Sequence, residues 1–269
     1  MKQILIIGLL TFFSSFFACS LQNSSAIADE PQINVNPTSE SVNVKDKTPV
    51  LVELFTSEGC SSCPPADRVL AQLETEQPNP NAEIITLSLH VDYWDKIGWK
   101  DEFSSALYSQ RQNVYGQKLK LGQVYTPQMI VDGQTQFVGS NLSEANKAIT
   151  ENAKNKKAKI ELINAEDNLK IKISDVPKHE NASVFLAIAE DNLSTNVKGG
   201  ENSGRKLNHS SVVRELKSIG IITAEQNGFD NGVAVQIQPN WKKENLKFVV
   251  FIQENMTRKI LGVNRISLM

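Results

Sequence analysis

The stretch Leu51-Val52-Glu53-Leu54-Phe55-Thr56-Ser57-Glu58-Gly59-Cys60-Ser61-Ser62-Cys63-Pro64-Pro65-Ala66-Asp67 passes from an apolar strand, through a cysteine pair, into a helix. Val50, Leu51, Val52, Leu54 and Phe55 form a nearly continuous apolar run over residues 49–56, the pattern of a strand covered on both faces. A turn at 59–65 follows at once, and residues 66–76 place Val69, Leu70 and Leu73 on one helical face. Pro64 and Pro65 suit the opening of that helix, where a missing N–H costs little. Two residues between Cys60 and Cys63 let the sulfurs meet, while unpaired backbone N–H groups and the helix dipole favour a thiolate. Cys60 is the expected solvent-accessible nucleophile and Cys63 the buried resolving thiol. A static structural disulfide is the competing reading, because exported proteins oxidise close pairs readily.

Working outward, residues 83–90 read as a second buried strand, which gives a βαβ start and parallel pairing. Residues 101–118 carry Phe103, Leu107, Arg111 and Val114 or Tyr115 at helical spacing. Residues 128–138 read as a hairpin turning at Asp132-Gly133, and residues 142–152 as a closing helix started by Asn141 or Ser143. Strand, helix, strand, helix, hairpin, helix amounts to an α/β, thioredoxin-like N-terminal domain over 49–155. In residues 156–269 the period changes: 159–173, 182–190, 232–238, 246–253 and 260–268 alternate or run with β-branched residues between Asn, Gly and Pro turns. They read as a mainly antiparallel, sandwich-like β domain, with 196–213 as a long polar insertion and the lysine-rich 154–159 as a solvated join.

Toward the N-terminus, residues 20–48 are rich in Asn, Ser, Pro and isolated charges, so 19–48 reads as a flexible leader. Lys2 precedes an uncharged apolar run from Ile4 to Ala18, which makes 1–18 an export signal. Two cleavage sites compete. Phe16-Phe17-Ala18-Cys19 looks like a lipoprotein box and abuts the apolar core, whereas Ala26-Ile27-Ala28 offers an ordinary signal-peptidase pattern farther on. Lipidation of Cys19 would anchor the chain on the periplasmic side of a bacterial membrane, with Ser20 fitting an outer-membrane address. The alternative is a soluble periplasmic or secreted protein. The 269 residues are 22% charged and 40% hydrophobic, enough for a sizeable core, and exclude a fibrous or wholly disordered chain. With 28 Lys and Arg against 30 Asp and Glu, the net charge of −2 argues against nucleic acid as a partner. Three cysteines exclude a small disulfide scaffold.

Further candidates gather at strand ends and in the insertion. His90-Val91-Asp92-Tyr93-Trp94-Asp95 begins where the second strand ends, the edge at which functional loops collect. Asp92 or Asp95 could manage protons there, His90 could hold a carboxylate, and Tyr93, Trp94 and Trp99 could form an apolar lid; filling space above the sheet is the plainer role. Glu58 and Glu53 are acidic groups near the pair, Glu53 a proton relay if buried in its strand. Glu201, Asn202, Arg205, His209 and Arg214 form a cluster inside the insertion, read either as a solvated loop or as a contact with the first domain or a partner. A zinc site is disfavoured, since four ligands are needed and His90 alone lies in the same domain as the cysteines. No metal or other cofactor is called for.

The quoted stretch closely resembles the bacterial family of secreted thioredoxin-like proteins designated as domain of unknown function 1223. The resemblance continues through His90-Val91-Asp92-Tyr93-Trp94-Asp95, Gly98-Trp99-Lys100-Asp101, Arg111-Gln112, Tyr125-Thr126-Pro127-Gln128 and Asp132-Gly133. It returns in Gly200-Glu201-Asn202, Gly204-Arg205, His209 and Val212-Val213-Arg214, and so covers about residues 49–265. Glu102 departs from the pattern where a proline is common. By resemblance to the thioredoxin fold, Pro127 is cis and brings the Thr126 backbone close to Cys60, where an extended substrate can add as a strand. The implied activity is thiol–disulfide exchange on protein or small-molecule thiols. Two other readings stay open: a non-catalytic envelope binding or assembly protein with a structural disulfide, and Cu(I) handling by Cys60 and Cys63 with His90 or Met129.

Overall fold

In the computed structural model, which describes residues 47–165 and 168–268, the quoted stretch becomes the interior strand β1 (Thr48–Thr56) and the helix α1 (Pro64–Glu76). Pro64 and Pro65 occupy the first helical positions, and α1 ends at Gln77, whose left-handed backbone (φ 46°) lets its N–H bond to Leu73 O. The chain then enters β2 (Ala82–His90), which runs parallel to β1 in register from Thr48 opposite Ala82 to Thr56 opposite His90. α2 (Ala106–Lys118) follows, then the hairpin of β3 (Gln128–Val131) and β4 (Thr135–Val138), then α3 (Leu142–Asn152), capped by the Asn141 side chain. The hairpin turns at Asp132 (φ 49°) and Gly133 (φ 70°), two positive-φ residues in succession, as a type I′ turn requires.

The second half contributes β5 (Lys159–Ala165), β6 (Asn168–Ser174), β7 (Ala182–Glu190), β8 (Leu193–Asn196), β9 (Lys206–His209), β10 (Val212–Ile222), β11 (Phe229–Ala234), β12 (Leu246–Glu254) and β13 (Ile260–Ser267). Eight strands form one mixed sheet in the order β13-β12-β7-β10-β2-β1-β3-β4; β11-β6-β5 form a second sheet, and β8-β9 a small ribbon. All pairings are antiparallel except β1 with β2 and β10 with β2.

Alternation along β1 sorts its side chains. Val50, Val52 and Leu54 pack with Leu70 and Leu73 of α1 and Ala145 and Ile149 of α3. Leu51 and Phe55 join Leu87, Leu89 and the α2 residues Tyr108 and Tyr115. A third core lies where Leu169, Ile171 and Ile173 of the small sheet meet Val184, Leu186, Val250 and Ile252 of the large one. Here the small antiparallel sheet packs against the antiparallel part of the large one.

Several elements depart from the sequence reading. α2 starts at Ala106 rather than near 101, because the Ser105 side chain caps it by accepting from Leu107 N and Asp101 is taken up in another role. Its buried face is Tyr108, Ser109, Gln112 and Tyr115, while Leu107 is exposed. The run at 159–173 is a hairpin, β5 and β6, and the strand expected at 232–238 lies earlier, as β11. The largest difference is β10, inside and beyond the supposed insertion. Two register shifts interrupt its pairing with β7 and blur the period-2 pattern.

β10 also joins the halves. Val212 pairs with Ser88 of β2, Ser88 N donates to Ser211 O at 2.8 Å, and Thr86 Oγ1 meets Ser211 Oγ at 2.6 Å. Buried Lys247 binds Glu74 of α1 at 2.7 Å and Ser211 at 2.8 Å. The sheet curls until Ile260 N donates to Asp132 O at 3.1 Å. No break in the sheet separates the parts before and after residue 155, and the described residues form one compact unit. The export signal, Cys19 and all but the last two residues of the leader lie outside the described residues. Among the described residues no helix is long and apolar enough to cross a membrane.

Candidate functional site

β1 delivers its C-terminal end to the start of α1, and Cys60 and Cys63 form a disulfide there with Cα atoms 5.4 Å apart. Cys63 is the N-cap residue of α1, so the pair stands at the positive end of the helix dipole; Pro64 and Pro65 carry no N–H, and Ala66 N and Asp67 N donate to Cys63 O at 2.8 and 3.1 Å. Ser61 and Ser62 are exposed, and Ser62 Oγ lies 3.3 Å from Cys60 Sγ. Contrary to the expectation that Cys60 keeps access to solvent, it is 0% exposed, as is Cys63. The burial comes from a part of the chain some 140 positions away in sequence, which local reasoning at the helix start cannot see.

That cover is the β8–β9 connection, residues 197–205. The buried Asn202 donates from Nδ2 to Glu58 O at 2.8 Å and to Cys60 O at 2.9 Å. Arg205 donates to Asn202 Oδ1 at 3.0 Å, which fixes which way the amide points. Glu201 Oε2 accepts from Ser61 N at 2.9 Å, and those hydrogen bonds hold its carboxyl below the usual range. Of the five insertion residues singled out from sequence, Glu201, Asn202 and Arg205 thus cover the pair and His209 lies beneath it. Arg214 does not reach it: its guanidinium pairs with Glu190 at 3.1 Å and stacks between Phe103 and Trp241.

A second loop, residues 92–100, completes the roof. Trp94 packs against Gly59 and donates from Nε1 to Thr126 Oγ1 at 2.8 Å, bridging the cysteine loop to the Thr126-Pro127 segment, whose peptide bond is cis. Trp99 Nε1 donates to Glu58 Oε2 at 2.7 Å. Asp92 and Asp95 hold the loop itself, the first through Ser109 of α2 and the second through Ser104 Oγ (2.8 Å) and Asp101 N (3.3 Å).

Beneath the pair lies a buried ionisable network. His209 Nε2 is 3.2 Å from Glu58 Oε1, and His90 Nδ1 is 2.7 Å from Asp101 Oδ2, which also accepts from Glu58 N at 2.9 Å. The two imidazoles meet edge to face with centroids 5.0 Å apart, and Phe103 packs on both. Burial alone lowers the His90 pKa, but the Asp101 carboxylate 2.7 Å away, with Asp67 and Glu58, raises it overall. Burial likewise opposes ionisation of Asp101, yet His90 and the backbone donors Glu58 N and Phe103 N bring it below the usual range. Asp67, one helical turn after Cys63, is pushed up by burial despite His209, His90 and the Thr56 hydroxyl, which donates to its Oδ1 at 2.9 Å. The remaining ring nitrogens, His90 Nε2 and His209 Nδ1, are buried and make no hydrogen bond to described residues.

Glu53 is buried but takes no part in this network. Strand alternation turns it toward α2, where Arg111 grips it from Nε at 2.6 Å and from the NH2 group at 3.1 Å, and Tyr115 donates to it. Met129 sits in the α1–α3 core. Among the described residues no group of three or more His, Cys, Asp or Glu is arranged to hold a metal ion. Asp67 and Asp101 were not singled out as candidates from sequence. Their one signal was that each stands inside a quoted motif block.

A family model described as "Protein of unknown function (DUF1223)" matches residues 51–253. The fold is similar to the crystal structure of a protein from Agrobacterium tumefaciens, with TM-score 0.67 and 25% identity, over 83% of this chain and 96% of that one. It is also similar to HBP35 of Porphyromonas gingivalis, with TM-score 0.53 and 15% identity, over 82% of this chain and 76% of that one. No curated protein matches the chain.

Proposed function

The chain belongs to the DUF1223 family, and on that premise we propose that it is an envelope thiol–disulfide oxidoreductase acting through Cys60 and Cys63 on protein or small-molecule thiols. The observation that carries this reading is the placement of the pair at the start of α1, above a buried set of His and carboxylate groups. The order β1-α1-β2-α2-β3-β4-α3, with Thr126-Pro127 tied to the cysteine loop through Trp94, supports a thioredoxin-like arrangement of the first half. Lys2, the apolar run behind it and Cys19 support export and a lipid anchor at the periplasmic face of a membrane.

In the reducing direction the Cys60 thiolate attacks one sulfur of a substrate disulfide. The substrate S–S bond breaks, one substrate thiolate leaves and takes a proton, and a mixed disulfide joins Cys60 to the other half. Cys63 then loses its proton, attacks Cys60 Sγ and releases the second substrate thiolate. The pair ends oxidised and the substrate reduced by two electrons; the oxidising direction reverses each step. The dipole of α1 favours the thiolate.

Replacing Cys60 with Ala is expected to abolish thiol exchange with a peptide disulfide, followed by mass; unchanged exchange overturns the proposal. A second reading has its own observation. Full burial of both cysteines fits a structural disulfide in a non-catalytic envelope binding or assembly protein. In that case the pair, even where it can be reduced, does not pass electrons on to a peptide disulfide. The copper reading draws no support from Met129, which lies in the α1–α3 core.

A further inference from the structure

We infer that the 197–205 loop is a latched surrogate for an extended polypeptide, and that it selects polypeptide thiols over small ones by requiring the incoming chain to replace its hydrogen bonds. This rests on the reading of Cys60 as an exchange site and names its substrate class. Three main-chain groups around Cys60 are occupied by the loop: Glu58 O and Cys60 O accept from Asn202 Nδ2, and Ser61 N donates to Glu201 Oε2. Two acceptors and one donor within residues 58–61 are groups that the N–H and C=O groups of an incoming main chain can satisfy. A thiol without amides has nothing to offer them, so displacing the loop leaves those groups without the partners it supplied.

The loop is built to move as a unit. Val197 N donates to Arg205 O at 2.9 Å and Gly204 N to Val197 O at 2.8 Å, closing it on itself between the two strands of the ribbon. Its contact with the second loop is backbone on backbone: a side chain on Gly199 would stand 2.3 Å from Gly98 O, and Gly200 holds φ +67° beside Trp99. His209–Glu58, at the end of β9, anchors the base of the ribbon and need not break for the tip to lift. Asn202, with its amide set by Arg205, is the latch. Glu201, an exposed residue that accepts from Ser61 N, is the weaker catch.

The test follows the oxidised protein as an added thiol reduces it: a thiolate attacks Cys60 Sγ, the Cys60–Cys63 bond breaks, and Cys63 leaves as a thiolate that takes a proton. Two probes are compared, 2-mercaptoethanol and an extended peptide carrying one cysteine, each rate corrected for its thiolate fraction. In wild type the peptide is expected to react at least tenfold faster. Asn202→Ala raises the 2-mercaptoethanol rate about tenfold and raises the peptide rate less, so the preference collapses. Glu201→Ala, a change at an exposed residue, moves the preference the same way by a few-fold and stands in if the first variant does not fold. General loosening of the fold raises both rates by one factor and leaves the preference unchanged, which overturns the inference; so does a wild-type preference absent from the start. Loss of the exchange reading looks different: the protein then fails to pass electrons on to a peptide disulfide even in variants whose pair is readily reduced.

Discussion

His90 and Asp101 are both buried at 2.7 Å, and their opposite shifts set a pH window for stability. The imidazole is raised in the folded state, so its contribution is fully present below the ordinary value of about 6.5 and fades as pH rises through the folded value. The carboxyl is lowered, so its contribution is present above about 4 and fades as pH falls through the folded value. Together they act most fully between about pH 4 and 6.5. His90→Gln should therefore cost about 3 kcal/mol in urea unfolding near pH 5, and the difference from wild type should shrink toward pH 9; a difference that grows with pH contradicts this assignment. At the scale of residues the sequence exposes chemistry but not direction. Cys60, Cys63, His90 and Glu58 are recognisable by type and place, whereas Glu53 points to Arg111 and Asn202 to the cysteine loop for reasons that strand alternation and a distant loop supply. A buried acid on a strand is equally legible as a relay or a salt bridge until its facing helix is known.

The β8–β9 ribbon and the 92–100 loop meet through glycines, and that contact is the element on which burial of the pair depends. Gly199→Ala places a Cβ 2.3 Å from Gly98 O and should push the loops apart. The expected cost is about 1–3 kcal/mol, together with faster alkylation of Cys60 after reduction, read by mass. Unchanged alkylation would show that the two loops do not share the cover. At the β3–β4 turn, Gly133 has φ +70°, and a Cβ there would lie 1.9 Å from Arg258 O. Gly133→Ala should destabilise by about 2 kcal/mol or more, measured as a shift in urea midpoint. This turn was legible because Asp-Gly is itself the signal for two successive positive φ angles. The start of α2 was not, since Phe103 falls at helical spacing from Leu107 and Arg111, yet Asp101 and Ser104 are drawn off by side-chain hydrogen bonds to Glu58 N, His90 and Asp95.

Across the whole molecule, β10 ties the strands of the first half to those of the second in one sheet. Its bulged, half-polar sequence hid this, because a broken period cannot be told from a loop without knowing which strands lie on either side. The core under α2 draws Val249, Phe251, Ile260 and Val263 from beyond residue 155. A fragment ending at 155 would expose that surface and the β2 edge, so it should fail to give dispersed amide NMR signals, while residues 47–269 unfold in one cooperative transition. Two separated transitions would contradict the single sheet. The central claim concerns the pair that this scaffold holds at the start of α1. Its most direct test is the Cys60–Cys63 reduction potential, obtained by equilibrating the folded protein in glutathione buffers and trapping free thiols by mass. A potential between about −120 and −270 mV, the span of exchange proteins, is the predicted result, and a value below about −300 mV would mark the pair as structural and contradict the account.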